Sequence, residues 1–263
     1  MIRNTLSLVL SSLLFSNLAF AEGADSADSS PGAPSRPVAT AIDEVPRVAY
    51  ARGAFGSSAP SVGAAGFGVT RVEGRGGDRP WFGGGVRAWG SPIDRVTILA
   101  EGKRRDNGEF APSVGAQLRL LGSRSEHYAI ALGAEYLAEG FAELGGEIEG
   151  GVLASYAKAR LHLDANLVVG GGFDEGEADG ELLARLGYDV MQPVRLGLEG
   201  RVRQRLAGRG ELPGARTADG FVGAQAMLTH EQLFLAVTGG PTTIAIANGV
   251  GWSALATFGG AAF

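Results

Sequence analysis

No cysteine occurs anywhere in the 263 residues. That excludes disulfides, and with them the covalent staples of small exported domains. It also excludes anchoring as a bacterial lipoprotein, whose acyl chains attach to a cysteine just after the signal. Charged residues are only 19% of the chain, and 23 Lys and Arg are set against 28 Asp and Glu, a net charge of −5. Wholesale nucleic-acid binding needs a basic surface, so this balance excludes it. Beyond the N-terminus no apolar run reaches the ~18 uninterrupted residues of a membrane-spanning helix. Glycine, by contrast, is abundant: 43 residues, too many for a helical protein, because each glycine weakens a helix interior. With 45% hydrophobic residues, the chain is too apolar to stay disordered.

The first 21 residues have the pattern of a secretory signal. Arg3 supplies the positive end, an apolar and serine-containing stretch follows, and Ala19-Phe20-Ala21 fits the small-x-small cleavage rule, leaving Glu22 first. Residues 22–60 then read as a flexible tail rich in Ala, Ser and Pro. Residues 47–56 suit either a strand or a lead-in, and residues 61–263 form the structured domain.

Periodicity defines that domain. In residues 193–205, Val194, Leu196, Leu198 and Val202 alternate with Arg195, Glu199, Arg201, Arg203 and Arg205. Alternation is the period of a β-strand, whose successive side chains leave opposite faces. The same pattern recurs in 61–72, 81–89, 95–103, 113–120, 127–137, 143–155, 160–169, 181–190, 221–228 and 233–237, and less regularly in 244–258. The expectation is about twelve strands, many reaching the ~9–11 residues that cross a bilayer when tilted.

Connections sharpen this. Breaks near Ser91-Pro92, 122–125, Tyr156-Ala157, 191–193 and 229–232 are tight, while those at 73–79, 104–109, 138–142, 174–180 and 207–220 are longer and more polar. Short and long connections alternate, as in a barrel with short periplasmic turns and longer outward loops. A β-sandwich has no reason to keep that order. Trp81 and Trp89 bracket one strand, and Tyr128 and Tyr136 stand on one face of another. With Tyr188, these aromatics are expected in the girdles that flank an apolar belt.

The signal, the glycine-rich amphipathic strands and the terminal Phe263 together resemble Gram-negative outer-membrane β-barrel proteins of porin-like type, over residues 61–263. The segment Gly259-Gly260-Ala261-Ala262 departs from the alternating aromatic strand usual before the terminal Phe. The resemblance implies an all-β, closed, antiparallel up-and-down transmembrane barrel in the outer membrane. It implies membrane lipid, lipopolysaccharide and the assembly machinery as partners, with no cofactor. Outward-loop cations, among them Lys103, Arg104, Arg105, Arg209 and Arg216, would suit lipopolysaccharide phosphates.

A barrel in lipid turns its apolar face outward and its charged face to the lumen. The lumen is then expected to be lined by Arg95, Glu101, Arg119, Glu135, Glu147, Glu149, Arg160, His162, Asp164, Arg185, Asp189, Arg195, Glu199, Arg201 and Arg203, with Arg87, Lys103 and Glu143 on the same face. Acids gather on the strands around 135–149, and arginines on the strand around 195–203. Such charges either pair across a narrow lumen or leave a polar channel. Small inward residues such as Gly83, Gly85, Gly115, Ala129, Ala131, Gly133, Gly145, Gly151 and Gly197 favour the channel, hence passive diffusion of polar or ionic solutes. The alternatives are a closed structural or surface-recognition barrel and, less favoured, a barrel enzyme acting on lipid. Asp164 lies two residues from His162, ~7 Å along a strand, too far to orient its ring. No catalytic residue is therefore assigned to Ser155, His127, His162 or His230. The acidic stretch 174–181 lacks the EF-hand ligand spacing, and the glycine runs at 83–85 and 170–172 lack a phosphate-loop lysine. Neither assigns a metal or phosphate site.

Overall fold

A computed structural model of the chain describes residues 51–55, 61–72, 81–104, 110–138, 146–172, 178–207, 218–244 and 249–262. The described residues from 61 onward are almost entirely strand: β1 (Ser61–Val72), β2 (Trp81–Ile93), β3 (Val96–Arg104), β4 (Phe110–Ser123), β5 (Tyr128–Ala138), β6 (Gly146–Lys158), β7 (Leu161–Gly172), β8 (Ala178–Met191), β9 (Val194–Ala207), β10 (Ala218–His230), β11 (Leu233–Ile244) and β12 (Gly249–Ala262). Each strand pairs antiparallel with its sequence neighbours, and β12 closes onto β1 from Val62↔Ala262 to Val72↔Trp252. Closure leaves no unpaired sheet edge, the condition for crossing a bilayer with strands. Phe263 lies outside the described residues.

Side-chain alternation sets which face is outside. Along β4, Val114, Leu118 and Leu120 are exposed, whereas Gln117 and Arg119 are buried. Leu163, Leu167, Leu182, Leu186, Leu196, Leu198, Val202, Val222, Leu235 and Val237 are exposed on the strands that follow. A soluble protein would bury this leucine and valine; here much of the buried face is polar, including Arg87, Gln117, Arg119, Glu135, Asp164 and Glu199. The barrel is of the transmembrane type.

Turns fall slightly later than the sequence pattern places them. The β2–β3 turn is Asp94-Arg95, with Arg95 at φ 80°, and the β6–β7 turn is Ala159-Arg160, with Ala159 at φ 54°. The strands on either side keep pairing past the polar residues that suggested a break: Tyr156↔Leu163 and Lys158↔Leu161 are still in register. Arg95 and Arg160 are consequently exposed in turns, not part of the lumen wall. A register shift between Arg119 and Leu121 sends both Leu120 and Leu121 outward, as a β-bulge does. Gly122 follows at φ 77°, a conformation that costs glycine nothing.

Trp89 is the clearest departure from expectation. It points inward and is 3% exposed, so it is no girdle residue. Its ring meets Phe234 of β11 across the interior at 6.5 Å between centroids, in a cluster with Ala65, Leu99, Met227, Ala236 and Ala261. Small residues make the room. A Cβ at Gly63 would run into the Trp89 ring. The interior thus holds an apolar cluster drawn from β1–β3 and β10–β12, flanked there by buried polar residues such as Arg87, Thr97, Gln225 and Thr238, while most of the buried or half-buried charge lies on β4–β9. Phe234→Ala removes the most buried side chain of this cluster. It is expected to cost about 3 kcal/mol, read as a lower temperature at which the folded, fast-migrating form is lost on a gel.

Candidate functional site

The polar half of the interior is built by register. Because the strands pair antiparallel and their register shifts fall near the strand ends, side chains of one parity on β4–β9 meet in rows. Asp164 faces Ser155 on β6 and Arg185 on β8, and Arg185 faces Glu199 on β9. Ser155 Oγ donates to Asp164 Oδ1 at 2.5 Å, and Arg185 donates to Asp164 Oδ2 through Nε at 2.8 Å and Nη2 at 2.5 Å. Further towards the long connections, Arg201 meets Glu181 at 2.9 Å and Arg203 meets Asp179. Glu147 shares this field with Glu149, Arg203, Asp179 and Lys103. Towards the tight turns, Asp189 binds both Arg195 Nε at 2.6 Å and His162 Nε2 at 2.7 Å. On the other flank Glu101 takes Arg87 at 2.6 Å, and the Arg87 guanidinium lies 5.0 Å from the Phe67 ring centre. Arg119 reaches Asp94 in the β2–β3 turn at 2.6 Å.

The arginines of β9 are therefore not a bare basic wall. Arg195, Arg201 and Arg203 each form an ion pair with an acid on β8, so the segregation of charge along the sequence becomes neutralisation across one strand pair.

Five residues outside the barrel strands complete the site. Ala51–Phe55, within the stretch that sequence alone leaves between strand and lead-in, cross the lumen as a strap from β9 to β4. Their backbone is held by wall side chains. Ala51 N donates to Glu199 Oε1 at 2.7 Å, Arg52 N to Asn166 Oδ1 at 2.6 Å, and Ala54 N to Ser155 Oγ at 2.7 Å. In return Asn166 Nδ2 donates to Arg52 O at 2.8 Å, Gln117 Nε2 to Gly53 O at 2.9 Å, and Arg119 Nη1 to Phe55 O at 2.9 Å. Ala51 and Ala54 are fully buried, and a buried backbone needs such partners. The Arg52 guanidinium binds Glu135 and lies 3.7 Å from Glu149. These two acids are direct partners between β5 and β6, a like-charge pair that a bridging cation relieves. Ser113 Oγ adds a bond to Glu135 at 2.6 Å. Ala54 packs on Ala129, Ala131 and Leu153, with Phe55 beside them and the Arg124 guanidinium 5.6 Å from the centre of the Phe55 ring.

The inward small residues acquire a new reading here. Ala129 and Ala131 do not hold space open; they seat the strap. A Cβ on Gly133 would stand 3.9 Å from Arg52 Nη1.

Of the expected lumen residues, Glu101, Arg119, Glu135, Glu147, Glu149, His162, Asp164, Arg185, Asp189, Arg195, Glu199, Arg201 and Arg203 have inward side chains, buried or half-buried. Arg95 and Arg160 do not. Glu143 and Gly145 lie outside the described residues, as do Arg105, Arg209 and Arg216. Lys103 faces inward and half-buried, and Arg104 is exposed. Ser155 and His162 are not joined: the serine bonds Asp164 and the strap, and the imidazole bonds Asp189. His127 and His230 are exposed at the tight-turn end. Tyr128 and Tyr188 project outward and Tyr136 is half-buried on the same face, while the Trp81 side chain is outside what the structure describes. Sequence reasoning passed over Phe82, Tyr156, Trp252 and Phe258, which are exposed outward; Tyr156 is the direct partner of Tyr128.

The lumen residues named from the sequence leave out four that the site uses: Asn166, Gln117, Ser113 and Arg52. The signal for Arg52 was present: an isolated arginine among Ala51, Gly53 and Ala54, just ahead of a barrel whose neighbouring strands carry facing glutamates.

Neither a family model nor a curated protein matches the sequence. Solved structures do match the fold. The NanC porin aligns with a TM-score of 0.58 at 8% identity, over 74% of this chain and 98% of its own. The KdgM porin, solved in complex with disordered oligogalacturonate, gives 0.57 at 8% identity over 76% and 99%. An outer membrane channel from Pseudomonas putida F1 gives 0.56 at 11% identity over 78% and 96%. The chain has the fold of outer-membrane porins.

Proposed function

We propose that the protein is an outer-membrane channel for the passive diffusion of small polar or ionic solutes. The observation that carries this reading is the continuous polar half-wall of β4–β9, which runs from Arg195 and Asp189 near the tight turns to Arg203 and Asp179 near the long connections. An apolar exterior and a polar stripe along the inside are what a solute path through lipid requires. The porin fold supports the same reading, as does the pattern of a cleavable signal in the first 21 residues. The tight turns then face the periplasm, and the outward aromatics Tyr128, Tyr156, Tyr188 and Phe258 lie at that interface. Contacts of Arg104 and the outer loops with lipopolysaccharide, and delivery by the barrel-assembly machinery, belong to this proposal.

Purified full-length protein in a planar bilayer should give discrete current steps, in bursts separated by long closed periods because the strap fills part of the lumen. No steps from correctly folded protein, with or without its strap, would overturn the reading. Selectivity should respond to β9. Arg201→Glu with Arg203→Glu places four acids where two ion pairs stood, and the reversal potential in a salt gradient should move towards cation preference. An unmoved potential in a conducting variant would mean that solutes bypass this wall.

One observation favours a second reading. The strap and the Trp89–Phe234 cluster together occupy the interior, which suits a closed barrel serving surface recognition; that reading requires no conduction under any of these conditions.

A further inference from the structure

The strap is bound as a ligand is bound. Its backbone N–H groups at Ala51, Arg52 and Ala54 each meet a side-chain acceptor, and its carbonyls at Arg52, Gly53 and Phe55 each meet a side-chain donor. Asn166 makes both bonds to Arg52, donating to its carbonyl and accepting from its N–H, which is the recognition that one peptide strand gives another. Three of the wall partners, Ser155, Glu135 and Arg119, also hold bonds within the wall. Ser155 is tied to Asp164, Asp164 to Arg185, Glu135 to Ser113 and Arg119 to Asp94. With the strap seated, Asn166, Glu199 and Ser155 are buried beneath it. Partners held in this way lower the ordering cost of binding a peptide there.

The chemistry of the seat is equally defined. The Arg52 guanidinium is a planar fork of donors, and it enters between two carboxylates that face each other in register. A Lys would offer a point charge where the seat offers two acceptors. The residues around it are small and closely covered: Ala51 and Ala54 are wholly buried, and Ala54 touches Ala129, Ala131 and Leu153. The seat thus reads an arginine flanked by small residues in an extended peptide.

We propose that the β4–β9 wall is a binding site for guanidinium-bearing short peptides, and that Ala51–Phe55 is its built-in occupant, closing the path that a solute of the same chemistry would use. This rests on the channel reading above and names its solute class and its gate. The facing pair Glu135 and Glu149 makes this part of the wall a cation site.

The test uses the full chain with Ala51–Phe55 replaced by five alternating Gly and Ser residues, checked for a folded barrel by its heat-dependent gel mobility. In a planar bilayer this variant should carry at least roughly tenfold more mean current than the wild type. N-acetyl-Ala-Arg-Gly-Ala-Phe-amide added to the chamber should bring the current back down. The same peptide with citrulline in place of arginine keeps the shape and loses the charge, and should need at least about tenfold higher concentration for the same block. Equal currents from variant and wild type would overturn the gate, and equal block by the two peptides would overturn the site. If the folded variant carries no current at all, the channel reading fails, and calorimetric titration of the same detergent-solubilised variant still decides the site. Heat of binding from the arginine peptide and none from the citrulline peptide supports it; no binding of either overturns it.

Discussion

Arg52→Ala is expected to raise the open fraction of the channel by about two orders of magnitude. The Arg52 side chain is buried, and it bridges Glu135 and Glu149 inside the lumen. Removing one partner of a buried ion pair costs ~3–5 kcal/mol, because the remaining charge stays desolvated. Here that cost falls on the closed state alone: once the strap leaves, water reaches both carboxylates. At ~1.4 kcal/mol per decade, the lower end of the range corresponds to roughly 100-fold. The six backbone bonds of the strap remain, each worth about 1 kcal/mol, so the strap is weakened and not abolished. Single-channel recording gives the open fraction directly. Arg52→Lys keeps the charge and loses the planar fork, so it should fall between wild type and Arg52→Ala. The double variant Glu135→Gln with Glu149→Gln should open the channel too. Combined with Arg52→Ala it should add little, since all three changes remove one interaction. An open fraction unchanged in Arg52→Ala would contradict this account of the closed state.

Arg185→Met should destabilise the whole barrel, again by about 3 kcal/mol or more. Arg185 grips Asp164 with two nitrogens, and both side chains are about nine-tenths buried. Asp164 in turn receives the Ser155 hydroxyl, and Arg185 stands beside Glu199 in register. Methionine fills most of the volume and supplies no charge, leaving Asp164 buried with a hydroxyl for company. The expected result is a clear fall in the temperature at which the folded form disappears from the gel. Adding Asp164→Asn removes the stranded charge and should recover most of the loss. No recovery would mean that packing, and not charge pairing, ties β7 to β8.

The fold was legible because a lipid-facing strand leaves a strong trace. One side of Val194–Arg205 is leucine and valine and the other is charge, and such a strand has few places to exist. Twelve repeats with alternating short and long connections left a closed barrel as the simplest arrangement. What alternation could not say is how an inward face is used. Trp89 is aromatic and near a strand end, the two features of a girdle residue, yet its parity puts it inside with Leu99 and Phe234. Counting parity along β2 from Arg87 would have placed it correctly. Arg95 and Arg160 were misplaced because the strands around them run on past polar residues, turning two wall positions into turn positions.

The strap was illegible for a different reason. Five residues carry no period, and Ala51 and Gly53 look like any tail. Their role comes from partners far along the chain: Glu135, Ser155, Asn166 and Glu199 converge only after β5–β9 are in register. Besides the isolated Arg52 itself, the signal lay in the wall, where Glu135 and Glu149 face each other and call for a cation from elsewhere. The β9 arginines teach the converse, since a run of one sign in sequence was matched by Asp179, Glu181 and Asp189 on the adjacent strand.

The central claim is that Ala51–Phe55 closes a path through this barrel. Because the chain has no cysteine of its own, a single pair can be introduced cleanly. Ala54 packs against Ala129, whose register partner Ser155 binds Ala54 N. In Ala54→Cys with Ala129→Cys, oxidation should form the cross-link and silence the channel, and reduction on the same membrane should restore bursts of current. A cross-linked barrel that conducts as freely as the reduced one, or a pair that never cross-links in folded protein, would contradict it.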